Sequence, residues 1–115
     1  MNKIIIKYIY DKIIELSDLD LQRKLWLNEN NDTGLISSYD ELMCSLFDDF
    51  KFDDFVDRIS SEIELSKSTI FELKKLRELL NNYNEKELDK EIINDPEWKK
   101  IAIQARVVIK EWSNV

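Results

Sequence analysis

Residues 46–57 read "LFDDFKFDDFVD": five aspartates, four phenylalanines, a leucine and a valine around a single lysine, Lys51. Placed on one helix at about 100° per residue, Met43, Leu46, Phe47 and Phe50 share a face, whereas Phe52, Phe55, Val56 and Ile59 fall roughly 170° away. One straight surface helix cannot bury both sets against one core. The spacing therefore predicts a break near Lys51 and two short helices meeting at a corner over Phe50–Phe52. The alternative is a single helix sandwiched on two sides. In either arrangement the aspartates take the positions the apolar residues leave and ring the corner as a compact acidic knob.

The segments on either side are also helical in pattern. Ile6, Ile9, Ile13 and Leu16 follow a 3-4-3 spacing, which predicts a helix over 3–16. The run "IIIKYIY" is rich in strand formers, so an N-terminal strand is the alternative. Ser17 is placed to cap a second helix carrying Leu21, Leu25 and Trp26, with Asp20 in its first turn. "NENNDTGLIS" has the composition of a loop and holds the only glycine. Ser38 stands three residues before Glu41, a capping-box spacing. Ile70, Leu73, Leu76, Leu80 and Tyr83 line one stripe of a long amphipathic helix, with Leu79 beside it. "EKELDKEII" suggests one further short turn. In "NDPEW", Asp95 is a cap and Pro96 a first helical residue. Trp98, Ile101, Ala102, Ala105, Val108, Ile109 and Trp112 continue as one apolar stripe, whose alanines let a neighbouring helix come close.

These patterns imply a single all-α domain, 1–115, of five or six helices. One glycine and one proline in 115 residues are too few for the turns of a sandwich or barrel. The N-terminal run is interrupted by Lys7, Asp11 and Lys12, and no apolar stretch of about 20 residues appears, which argues against a membrane span or a signal peptide. Lone Cys44 excludes an internal disulfide and is expected to fill space near the core, and a cytoplasmic setting follows. Trp98 and Trp112 are expected in the core, and Trp26 is placed where it could border a surface.

Reaction chemistry is poorly supported. With no histidine, neither a histidine-assisted nucleophile nor a usual zinc site can be assembled. "DDFKFDDFVDRI" lacks the glycine and alternating oxygen ligands of a calcium loop. The two Asp-Asp pairs lack a phosphate-cradling glycine loop, and Glu62 and Glu64 read as a solvated pair rather than an acid–base couple. No cofactor is implied, and a non-enzymatic role is the expectation. A metal-dependent enzyme is the lesser alternative.

Charge is more informative. The formal net charge is −7. Between Asp40 and Glu64 there are nine acids against Lys51 and Arg58, so the rest of the chain is neutral. Confined negative charge opposes direct binding to nucleic acid or anionic membranes and favours a basic partner. The bland reading is a solvated face that keeps the protein soluble. The sharper one is a docking surface: Glu41, Asp48, Asp49, Asp53, Asp54 and Asp57 supply attraction, and Phe52 or Phe55, if exposed, anchors the contact.

Three blocks, "ELSDLDLQRKLW", "SSYDELMCSLFDDF" and "NDPEWKKIAIQA", resemble in order a family of small acidic helical bacterial proteins that are similar to immunity proteins of polymorphic or contact-dependent toxin systems. The family's Phe-Asp-Asp block falls on Phe47, Asp48 and Asp49; the role of Asp53–Asp54 rests on the charge alone. The resemblance implies a non-enzymatic inhibitor of a cognate toxin. The confined −7 charge suggests that the toxin's surface is basic and nuclease-like, and a monomer or weak homodimer is expected. A nucleic-acid mimic that inhibits a defence complex is the alternative, and it needs carboxylates in an extended, phosphate-like row. A structural homo-oligomer paired through the C-terminal stripe is a third reading.

Overall fold

The chain runs as helix α1 (Lys3–Ser17), α2 (Leu19–Leu27) and α3 (Tyr39–Met43), the last continuing as a π-helical turn over Cys44–Asp49. Then come the single turn α4 (Phe52–Asp54) with a second π-helical turn over Phe55–Ile59, α5 (Lys67–Asn82), α6 (Asp89–Ile93) and α7 (Pro96–Ser113). This computed structural model describes residues 3–59, 63 and 65–113. Among them there is no strand, and the all-α class is the one adopted. The N-terminal run is helical, not extended, because Ile9, Ile13 and Leu16 need one common face to reach the core. Glu62 and Glu64 lie outside the described residues, as does the side chain of Ile59.

α7 is the central helix. It packs along both α1 and α5, and α6 links α2 to it. Trp98, Ile101, Ala102, Ala105 and Val108 are buried, as the stripe requires, with Ile109 and Trp112 at its edge. Ala102 and Ala105 have no exposed surface, and their small size keeps this helix close to its neighbours. On α5, Leu73, Leu76 and Leu80 are buried, while Leu79 stays partly exposed.

The capping residues were partly misplaced by pattern reading. Asp18, not Ser17, caps α2: its Oδ1 accepts the Leu21 N–H at 3.0 Å. Ser17 belongs to the last turn of α1, and its hydroxyl donates to the Ile14 carbonyl at 2.7 Å. Ser38 accepts the Glu41 N–H at 3.0 Å, and Asp95 Oδ1 accepts the Glu97 N–H at 3.1 Å beside Pro96, as the spacing indicated.

The C-terminal end of α1 is buried, so its free carbonyls need donors. Gln22, fully buried on α2, donates from Nε2 to the carbonyls of Glu15 (2.9 Å) and Leu16 (3.0 Å). Its Oε1 accepts the Trp98 indole N–H at 2.8 Å. Arg106 closes the set, donating from Nε to the Ser17 carbonyl at 2.9 Å. Beside it, the buried Glu15 carboxylate accepts the Trp26 indole N–H (2.9 Å) and the Ser37 hydroxyl (3.2 Å). Trp26 is therefore a core residue, with its ring 5.9 Å from that of Trp98. Tyr39 and Tyr83 complete the cluster at 5.5 and 5.2 Å from Trp98.

Gln22→Leu keeps the side-chain volume but leaves two buried carbonyls and an indole N–H unsatisfied, so urea denaturation should show a loss of about 2–4 kcal/mol. A loss under 1 kcal/mol would show that water or a shifted neighbour replaces the amide.

Candidate acidic docking surface

The break falls on Lys51. Its backbone is left-handed, φ 50° and ψ 59°, between the Cys44–Asp49 turn and α4. A lysine there carries a Cβ penalty that the fold must offset. The offset is visible on both sides. Leu46 is buried before the corner, and Phe52, Phe55 and Val56 are buried after it. The wide turns re-aim these side chains further; the first closes with the Phe50 N–H on the Ser45 carbonyl at 2.9 Å.

This burial corrects one expectation. Phe52 and Phe55 have no exposed surface, so neither can anchor a partner. Phe52 packs edge-on against Phe47 at 5.6 Å, and Phe55 stacks on Trp112 at 5.9 Å. The aromatic surface that does border the acids is Tyr8 of α1, 48% exposed, with its ring stacked 5.4 Å from Phe50. Tyr8 lay outside the hydrophobic stripe of α1, and no local pattern marks it. Cys44 is exposed rather than core-filling, because the π-helical turn faces it to solvent.

Asp48, Asp49, Asp53, Asp54, Asp57 and Glu41 are all exposed, but they are of two kinds. Arg77 of α5, with a side chain only 14% exposed, sits between Asp53 and Asp57: Nε is 3.9 Å from Asp53 Oδ1, and Nη1 donates to Asp57 Oδ1. Arg58 grips Asp54 through two hydrogen bonds of 3.2 and 2.8 Å, and that hydrogen bonding holds the Asp54 carboxyl below its ordinary range. These three aspartates fasten the corner to α5 and to itself. Their charge is largely answered within the molecule.

The other kind lies on α3 and the turn after it. Asp40, Glu41, Cys44, Ser45 and Asp49 line a shallow hollow of about 300 Å³, with Asp48 beside it. Among the described residues, Asp40, Glu41, Asp48 and Asp49 have no cationic partner within salt-bridge distance. The negative field extends beyond them. Burial, reinforced by Glu85 and Asp40, pushes the Tyr39 phenol up to about 12. Burial and the charge of Asp40 also raise the Asp89 carboxyl above its usual range, against a backbone hydrogen bond from Tyr39 that lowers it. Glu85 and Asp89 lie well outside the acid-rich window of the sequence, so only folding brings them to this face.

Among the described residues, no group of three metal-ligating side chains is brought together, and no helix is long and apolar enough to cross a membrane. The chain matches no known protein-family model, no curated protein and no solved structure.

Two substitutions separate the two kinds of acid. Arg77→Gln removes the shared cation from Asp53 and Asp57, so a loss of about 1 kcal/mol is expected in thermal or urea unfolding; an unchanged midpoint would show that the clamp does nothing. Asp89→Asn should act oppositely. The raised carboxyl stabilises the fold while protonated, and that contribution fades as pH rises through the folded-state value. The asparagine variant should therefore unfold at a higher temperature than the native chain at neutral pH, and at the same temperature below about pH 4.

Proposed function

We propose that this chain is a non-enzymatic protein-binding module that neutralises a cognate bacterial toxin by covering its basic surface. The observation that carries the reading is the hollow of Asp40, Glu41 and Asp49, flanked by Asp48, acids that have no cationic partner within salt-bridge distance among the described residues. Carboxylates crowded together repel one another, which costs stability. A partner's lysines and arginines remove that repulsion and gain charge-assisted hydrogen bonds. Exposed Tyr8 on Phe50 adds an aromatic contact next to the charge, the combination that interface centres favour. The resemblance of the three sequence blocks to an immunity-like family supports the same reading.

A nuclease toxin must attract a polyanion, so its substrate surface is basic. An acidic inhibitor seated there competes directly with the nucleic acid, and no catalytic group is needed. Long-range attraction raises the association rate, and the tyrosine and the ion pairs at the contact then set the lifetime.

The test pairs the purified chain with the toxin domain encoded beside it. Asp48→Lys/Asp49→Lys should slow association at least about tenfold at low salt and flatten its salt dependence. Asp54→Asn, a change at a carboxylate already paired, should leave both nearly unchanged. Native association kinetics in the lysine variant would overturn the electrostatic mechanism.

A further inference from the structure

The segment 28–38, between α2 and α3, holds no helix, yet its own side chains order it. The Ser37 N–H donates to the Leu25 carbonyl at 2.9 Å, so the two ends meet and the segment forms a closed surface loop. Asn31 is its hub. Nδ2 donates to the Leu35 carbonyl at 2.6 Å and to Asn28 Oδ1 at 3.1 Å. Oδ1 accepts the Thr33 N–H at 3.1 Å and the Thr33 hydroxyl at 2.6 Å, and Thr33 Oγ1 in turn accepts the Leu35 N–H at 3.0 Å. This framework presents Leu35 and Ile36, 65% and 75% exposed, the most exposed large hydrophobic residues among those described. A lone exposed leucine needs no explanation. Two adjacent aliphatic residues on so ordered a loop give the free molecule little buried area in return.

We propose that Leu35 and Ile36 are the apolar anchor of the contact made by the acidic hollow, entering an apolar cleft on the toxin domain whose rim carries lysine or arginine. This rests on the toxin-binding reading and names the residues that give the complex its lifetime. Position is the argument. Ile36 stands four residues before Asp40, so their Cα atoms are at most about 14 Å apart, and Asp40 and Glu41 line the hollow. A standard interface covers about 800 Å² of each partner, roughly 30 Å across. A protein seated on the acids therefore extends over the loop tip. Loop and acidic helix are also held to one another: the Ser37 hydroxyl donates to the buried Glu15 carboxylate at 3.2 Å, and Ser38 caps α3. The loop's own charges are Glu29 and Asp32, the latter paired with Lys24 at 3.7 Å, so the loop itself carries no cation to oppose a basic rim. Phe52 and Phe55 are buried, so the desolvated centre of the contact needs another apolar group. A loop already ordered by Asn31 loses little further freedom on docking.

Binding kinetics against the toxin domain encoded beside the chain test this. Leu35→Ser/Ile36→Ser should raise the dissociation rate at least about tenfold. Its association rate and salt dependence should stay within about twofold of native, the reverse of the pattern expected for Asp48→Lys/Asp49→Lys. Asn31→Ala keeps both aliphatic side chains but should raise Kd at least about threefold and remove amide-exchange protection at Leu35. Urea midpoints close to native confirm that the variants are folded. A native dissociation rate in the double serine variant overturns the anchor and leaves the electrostatic mechanism standing. Native affinity in Asn31→Ala overturns the loop's part in presenting it. A native chain that does not bind the toxin domain overturns both this proposal and the function it rests on. A free chain that self-associates in sedimentation, and stops doing so in the double serine variant, assigns the pair to a second copy and overturns the proposal equally.

Discussion

The amide of Gln22 is the constraint on which the rest of the architecture depends. A helix that ends inside a protein presents carbonyls that water cannot reach, and each left unpaired costs about 1–3 kcal/mol. α1 ends this way. One glutamine side chain satisfies two of those carbonyls and, through its oxygen, accepts a hydrogen bond from the indole N–H of Trp98, far along the chain. This ties α1, α2 and α7 at one point and sets the position of Trp98. The ring then fixes Trp26, Tyr39 and Tyr83 around itself. Tyr39 opens α3, so the acidic helix inherits its placement from the same centre.

The second constraint is the corner at Lys51. Two apolar faces nearly opposite on one helix must both reach the core, and the chain resolves this by one left-handed residue between two wide turns. The solution divides the aspartates. Those after the corner are paired, Asp53 and Asp57 with Arg77 of α5 and Asp54 with Arg58 of the same turn. Those before it stay exposed on α3 and its turn, with no cation within salt-bridge distance among the described residues. A run that looks uniform in composition becomes a structural half and an uncommitted half.

Much of this was legible beforehand. The long apolar stripes of α5 and α7, the loop around Gly34, the start at Pro96 and the break at Lys51 all follow from spacing and turn chemistry, which are local. What was not legible depends on distant partners. Gln22 reads as an ordinary polar helix residue, because its role exists only when Trp98 arrives 76 positions later. Phe52 and Phe55 looked like candidate anchors because periodicity says which residues share a face, not which face meets the core. Asp53 and Asp57 looked free because Arg77 lies on another helix. Glu85 and Asp89 lay outside the acid-rich window and were never counted.

The division of charge also bears on how a binding surface of this sort persists beside a stable fold. Had all five corner aspartates remained unpaired, their mutual repulsion would oppose the very turn that buries Phe52 and Phe55. Pairing three of them internally answers the charge after the corner and leaves the unpaired charge on a short, capped helix and its following turn, anchored by Tyr39, Leu42 and Leu46. Repulsion among Asp40, Glu41, Asp48 and Asp49 is thereby borne where water can screen it. A cationic surface that displaces that water strengthens every attraction at the contact at once. The same residues are thus tolerable in the free protein and favourable in a complex, which is the physical requirement for a docking surface made of charge.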